Sequence, residues 1–167
     1  VLSTTIDKYL FVAVKQQTCI AESKFRINWS KVEFKDRIDD IEHPIVREAL
    51  RLMGIDFPLE ISTFADIPSQ TGLGSSSAFA VGLLHALFAM KGEVVTKANL
   101  ADMAARIEVE ILGRHIGKQD HYASAFGNLN VFTFHKDESV SVDPVLWRKE
   151  TKRTVGKNIM MFYTAMK

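Results

Sequence analysis

The chain has 167 residues, 47% of them hydrophobic, enough to bury a real core and of a length suited to one domain or slightly more. Its 21 basic and 20 acidic side chains leave a net charge of +1, without the clustered basic excess of a nucleic-acid footprint. Cys19 is the only cysteine, which excludes an intrachain disulfide framework and a cysteine-based metal site and matches a reducing cytoplasm.

The first residues, Val1 to Thr5, show neither a charged leader nor an apolar signal core. Residues 6–14, 18–28 and 31–35 are short runs rich in β-branched and aromatic side chains, expected as consecutive antiparallel strands. Residues 43–53 carry apolar side chains at Ile45, Ala49, Leu52 and Met53, with Pro44 suited to a first helical turn and Gly54 to the end. Residues 59–64 alternate strictly, as a strand leading into a glycine and serine loop at 67–78.

After the loop, residues 76–91 read as a helix, apolar nearly all round and therefore expected between a sheet and other helices. Its apolar run, 78–90, is interrupted by Gly82 and His85 and falls short of the roughly 20 residues that span a bilayer. A second helix over 97–112 puts Leu100, Met103, Ala104, Ile107 and Ile111 on one face. Residues 113–117 break it, a short segment follows at 120–126, and residues 129–134 and 140–142 read as hairpin strands. Residues 137–157 are expected as a solvated connection, and the strand-like run at 159–163 as part of a second domain opening at residue 158. Strands first, then a strand and helices on one side, predict an α+β arrangement with one sheet face covered.

The loop is the chemically loaded stretch. Gly72 and Gly74 can take positive φ and allow close approach of a ligand to the backbone. Ser75, Ser76 and Ser77 fall where a helix begins and where open N–H groups and the positive dipole end favour an anion. The same composition also suits an ordinary serine-capped helix. It is not a Walker loop, which needs a lysine, nor a dinucleotide fingerprint, whose third glycine is replaced by Ser77.

A phosphate cradle calls for a divalent cation, and Mg²⁺ takes one or two carboxylates from the protein. Glu108 and Glu110 flank the apolar face of the second helix, each about 80° from it at ~100° per residue, so periodicity does not choose between them. Glu110 lies with Asn99, Asp102 and Arg106, a solvated face with an i,i+4 pair. Glu108 lies with Ala101, Ala105 and Leu112, where a carboxylate is costly to bury without a cation or donors, and is the better ligand candidate. Asp120 follows a glycine turn and fits either a helix N-cap or a catalytic base or orienter for a hydroxyl, with Lys118 favouring its ionised form. His43, His85, His115, His121 and His135 show no i,i+4 pairing and read as structural or surface histidines.

Pro68, Gly72, Leu73, Gly74, Ser75 and Ser76, the helical glutamate, and Gly117-Lys118-Gln119-Asp120-His121-Tyr122 ahead of Ala125-Phe126-Gly127 together resemble the GHMP kinases. The Gly-Lys-Gln-Asp wording and the opening Leu2-Ser3-Thr4-Thr5-Ile6-Asp7-Lys8-Tyr9 look most like the branch of sugar-1-kinases acting on D-glycero-D-manno-heptose 7-phosphate. The resemblance implies the family's N-terminal fold, like domain 2 of ribosomal protein S5, with a mixed or antiparallel sheet and helices on one face. It implies a cytoplasmic enzyme using ATP and Mg²⁺ on a small sugar phosphate, with no nucleic-acid or membrane partner. Gly72, Leu73, Gly74, Ser75, Ser76 and Ser77 would meet the ATP phosphates, Ser76 and Glu108 would bind Mg²⁺, and Asp120 would be catalytic.

In that reading the γ-phosphoryl group passes in line to a sugar hydroxyl. Lys118, Gln119 and His121 form the substrate side, and Lys118, Arg114 or His121 would meet a distal phosphate. His121 stands where the heptose kinases carry glutamine. The family's substrate motif is expected ahead of Val1 and its third motif after Lys167, so the chain is expected to be cut at both ends and incomplete as an enzyme. The alternatives are a non-catalytic sugar and nucleotide sensor on the same fold, or a kinase of another small alcohol.

Overall fold

The structure, a computed structural model, describes residues 1–18, 22–68, 71–160 and 162. Cys19, Ser69, Gln70, Met161 and Tyr163 lie outside the described residues, and Ile159, Met160 and Phe162 of the strand-like run are described without strand pairing.

A four-stranded sheet forms the centre, in the order β2 (Leu10–Gln16), β5 (Leu59–Ala65), β3 (Phe25–Asn28), β4 (Val32–Lys35). The expected antiparallel succession holds for β3 and β4, with Phe25 opposite Lys35 and Asn28 opposite Val32. It does not hold for β2 and β3. Between them lies β5, antiparallel to β2 with Val14 opposite Ile61, and parallel to β3 with Ile27 opposite Ile61. A parallel pair needs a crossover, which β4 and helix α1 (Pro44–Leu52) supply. Burial gives the reason for the order, because Leu59 and Ile61 are fully buried and β5 takes an interior position.

One face of this sheet is covered. Phe25, Ile27, Leu59 and Ile61 pack with Ile45, Val46, Ala49 and Leu50 of α1 and with Phe79, Leu83, Leu84 and Leu87 of α2 (Ser75–Lys91). Side chains of the other parity, Phe11, Phe34 and Phe64, point away and stay more than half exposed, as strand alternation requires. Helix α2 is buried over most of its circumference, in keeping with its largely apolar sequence.

Helix α3 (Lys97–Ala105) starts at Thr96, whose Oγ1 accepts the Asn99 N–H at 3.2 Å. The expected single helix over 97–112 does not continue in α form. Residues Arg106–Ile111 form a π turn in which Leu112 N–H donates to Ile107 O at 2.9 Å. The wider turn carries one extra residue and shifts the face each side chain presents. Glu108 is fully buried there, whereas Glu110 is 59% exposed and 3.6 Å from Arg106.

Helix α4 (Gln119–Phe126) leads into a second sheet of β1 (Leu2–Thr4), β6 (Leu129–Phe134) and β7 (Val140–Pro144), all antiparallel. Tyr122 and Phe132 centre a small second core with Ala101. Strand β1 was not expected; its three residues are too few to show alternation, and pairing with β6 defines it. The expected connection at 137–157 contains β7 and an exposed helix, α5 (Lys149–Lys157), whose charged residues all face solvent. Among the described residues no helix is long and apolar enough to cross a membrane.

Candidate active site

Strand β5 delivers the chain to the glycine loop, and Asp66 pins the junction. Its Oδ2 accepts the Tyr9 N–H at 2.9 Å and its own N–H donates to Tyr9 O at 3.0 Å. The loop then turns through two left-handed glycines, Gly72 at φ +73° and Gly74 at φ +69°. Gly74 is the N-cap of α2, and the first intrahelical bond runs from Ala78 N–H to Gly74 O at 2.9 Å. The N–H groups of Ser75, Ser76 and Ser77 therefore form the open start of a 17-residue helix whose dipole favours an anion.

Four side chains meet beside that start. The Ser76 hydroxyl donates to Glu108 Oε2, and Arg114 Nη1 donates to the same carboxylate oxygen and, at 2.6 Å, to Ser76 Oγ. From the other side His121 Nε2 lies 3.2 Å from Glu108 Oε1. A carboxylate only accepts, so this nitrogen carries the hydrogen, and the buried Nδ1 is left without a partner among the described residues. Burial pushes the Glu108 carboxyl upward, but the hydrogen bonds from His121 and Ser76 and the charge of Arg114 outweigh it and hold the group below its ordinary value. Glu108 is thus an ionised carboxylate inside the protein.

Asp120 approaches the loop from the opposite wall. A Cβ placed on Gly74 would lie 3.1 Å from Asp120 Oδ2 and 3.2 Å from Asp120 Cβ and Cγ. The acid therefore rests against the backbone of the glycine loop, with its side chain open to solvent. It makes no side-chain cap on α4, whose N-cap is Lys118.

These groups line one cleft of about 1130 Å³. Gly72, Gly74, Ser75, Ser76, Ser77, Glu108, Arg114, Gln119 and Asp120 reach it. Leu73 does not, facing a shallow apolar depression beside Ile6 and Tyr9 instead. Lys118 turns to Glu138 at 3.1 Å, and His121 is fully buried behind Glu108. Trp29 and His43 also line the cleft and were not among the expected site residues. Trp29 stands edge-on to His43 at 4.7 Å between ring centroids, and His43 packs on Phe79 at 4.8 Å. The only local hint was Pro44, since His43 Nδ1 caps α1 by accepting the Val46 N–H at 3.4 Å.

The donor set at Ser76 and Glu108 fits Mg²⁺. Both groups offer hard oxygens, they lie in contact at the mouth of an anion-favouring helix, and a single carboxylate is within the usual number for this ion. Among the described residues no cluster of three or more histidine, cysteine, aspartate or glutamate side chains offers another metal site.

Comparison with known proteins matches this arrangement to a family. The family described as GHMP kinases N terminal domain matches residues 43–128, just over half of the chain. D-glycero-alpha-D-manno-heptose 7-phosphate kinase of Campylobacter jejuni is 32% identical over 109 residues, which cover 64% of this chain and 32% of that protein. Galactokinase of Thermotoga petrophila is 24% identical over 147 residues, covering 86% of this chain and 40% of the relative. The chain thus spans 32% to 40% of the length of these relatives. Among solved structures, a D-glycero-D-manno-heptose 1-phosphate kinase from Bacteroides thetaiotaomicron superposes with a TM-score of 0.78 at 24% identity, over 90% of this chain and 52% of that one. Lactococcus lactis galactokinase superposes with a TM-score of 0.65 at 17% identity, over 88% and 42% of the two chains. The α+β architecture is therefore that of these kinases, and with the glycine loop, α2 and the Glu108 turn all inside the matched segment, the chain belongs to the GHMP kinase family.

Proposed function

We propose that the chain forms the nucleotide and catalytic-acid side of a kinase that transfers the γ-phosphoryl group of ATP to a hydroxyl of a sugar or sugar phosphate. The observation that carries the reading is the contact between Asp120 and Gly74, which joins an acid to the anion-favouring loop within one cleft.

The N–H groups of Ser75, Ser76 and Ser77 bind the nucleotide phosphates, helped by the dipole of α2. Ser76 Oγ and Glu108 would hold Mg²⁺, whose chemistry there is to neutralise charge on phosphate oxygens. His121 holds Glu108 from behind, so that the carboxylate keeps its other oxygen toward the cleft. Asp120 accepts a hydrogen bond from the attacking hydroxyl and orients it, and is the base to which its proton passes. Most of the acceleration comes from this positioning and from charge stabilisation. Likeness to the Campylobacter jejuni heptose kinase supports D-glycero-D-manno-heptose 7-phosphate as the acceptor, and the hydroxyl we propose is the anomeric one.

The test is Asp120→Asn in the protein, assayed with ATP, Mg²⁺, the heptose 7-phosphate, an unphosphorylated aldose and a non-sugar alcohol. Turnover is expected to fall by about 10²–10⁴, the usual contribution of a positioned acid or base, while MgATP binding persists. An unchanged rate refutes the role of Asp120, and an absence of turnover on every acceptor in the full-length wild-type protein favours a sensor.

A further inference from the structure

The Arg114 guanidinium occupies an unusual position for a basic side chain beside a proposed metal site. A single nitrogen, Nη1, contacts both Ser76 Oγ and Glu108 Oε2, the two atoms assigned above to Mg²⁺. Glu108 is fully buried, and a buried carboxylate without a cation or full set of donors is strongly unfavourable. Arg114 meets that demand in the protein without metal.

The surroundings also allow it to leave. Its side chain is 36% exposed, on the rim of the cleft, while its backbone is tied down by Arg114 N–H to Glu108 O at 3.0 Å and by Ile116 N–H to Arg114 O at 2.9 Å. The long side chain can thus rotate into solvent with no change in the turn that carries it. His121 remains on Oε1 throughout, so the carboxylate keeps its orientation when its other oxygen changes partner.

We propose that Arg114 is the resident cation of this site: it holds Ser76 and Glu108 together in the metal-free protein and has to swing out before a divalent cation can bind between them. The inference rests on the assignment of Ser76 and Glu108 as metal ligands. It gives the site a built-in competition between an internal and an external cation, so that the buried carboxylate is never left bare and metal enters only with enough free energy, such as that of a nucleotide bound at the same time, to displace the arginine.

The experiment measures binding of Mn²⁺ with a non-hydrolysable ATP analogue by the electron paramagnetic resonance of free Mn²⁺, in wild-type, Arg114→Gln, Arg114→Met and Glu108→Gln proteins. Both Arg114 variants are expected to bind the metal–nucleotide pair about tenfold more tightly than wild type, about 1.4 kcal/mol. Their melting temperatures are expected to fall in EDTA and to recover with Mn²⁺ by more than the wild type gains. Arg114→Gln keeps a donor for Glu108, so it supplies the measurement if Arg114→Met does not fold. If Glu108→Gln weakens metal binding but neither Arg114 variant tightens it, the competition is overturned and the ligand assignment stands. If Glu108→Gln leaves binding unchanged, the ligand assignment fails, and the competition fails with it. A gain that persists with the nucleotide alone in EDTA also overturns the proposal, since Arg114 would then obstruct the nucleotide rather than the metal.

Discussion

Gly72 and Gly74 provide a matched pair for testing how Asp120 is held. Both sit in left-handed backbone, at φ +73° and +69°. A side chain at either position costs about 1–2 kcal/mol for the conformation alone. Of the two, Gly74 has a neighbour in the way, because its new Cβ would come within 3.1 Å of Asp120 Oδ2 and 3.2 Å of Asp120 Cβ and Cγ, whereas Gly72 has nothing within 4 Å among the described residues. Asp120 Cβ is fixed to α4 and cannot rotate away, so either the loop or the first turn of α4 must shift by a few tenths of an ångström. That adds about 1 kcal/mol, the low end for overpacking, since the carboxylate itself is exposed. Gly72→Ala should therefore lose about 1–2 kcal/mol and Gly74→Ala about 2–3 kcal/mol in urea unfolding. In a coupled assay of ADP formation, Gly74→Ala should also lose about 10- to 100-fold more kcat than Gly72→Ala, because the acid is displaced relative to the phosphate cradle. In the Asp120→Ala background the stability excess should shrink, as two of the three close contacts are gone. Equal losses for the two glycines in stability and kcat would refute the contact as the device that positions Asp120.

The two glutamates of the π turn separate cleanly. Glu108→Gln should cost about 1.5–3 kcal/mol, as a charged acceptor with three donors is lost, and should reduce turnover by roughly 10²-fold or more. Glu110→Gln should change stability by less than about 0.5 kcal/mol and leave turnover alone, since its exposed partner Arg106 is 3.6 Å away. Reversal of that order in urea unfolding and ADP-formation assays would sink the distinction. Burial pushes His43 below the ordinary histidine value; Glu33 pulls it the other way, and Arg114 adds to the lowering. The unfolded chain then takes up a proton near pH ~6.5 that the folded protein resists, so stability falls as pH drops from there toward the folded value. His43→Asn, which retains a capping acceptor, should flatten that slope, and an imidazole resonance titrating at or above the ordinary value would contradict it.

Local patterns in the chain were enough for most elements of this fold. The amphipathic spacing of Ile45 and Ala49 behind Pro44, the largely apolar run after Ser77 and the alternation over residues 59–64 each report a face or a burial state that neighbouring residues impose on one another. The glycine and serine loop was legible for the same reason, because φ at Gly72 and Gly74 and the open N–H groups that follow are properties of consecutive residues. The choice of Glu108 over Glu110 also came from neighbours, since small and apolar company on one flank already implied burial.

Other features depend on residues far apart in the chain, and only the tertiary structure decides them. The insertion of β5 between β2 and β3 is a choice among partners up to 55 positions apart, as in Leu10 with Ala65, made by which strand buries the most apolar surface. The π turn breaks the 3.6-residue period on which the helix reading relied. Lys118 and His121 sit one and two residues from Gln119 in the same motif, yet one turns to Glu138 and the other is sealed behind Glu108. Sequence determined which residues have the chemistry to hold a phosphate, a cation and a hydroxyl. Packing of α2, the π turn and α4 decided that Ser76, Glu108 and Arg114 share one contact and that Asp120 rests on Gly74, because hydrogen bonds and van der Waals contacts act only over distances that folding alone brings within reach.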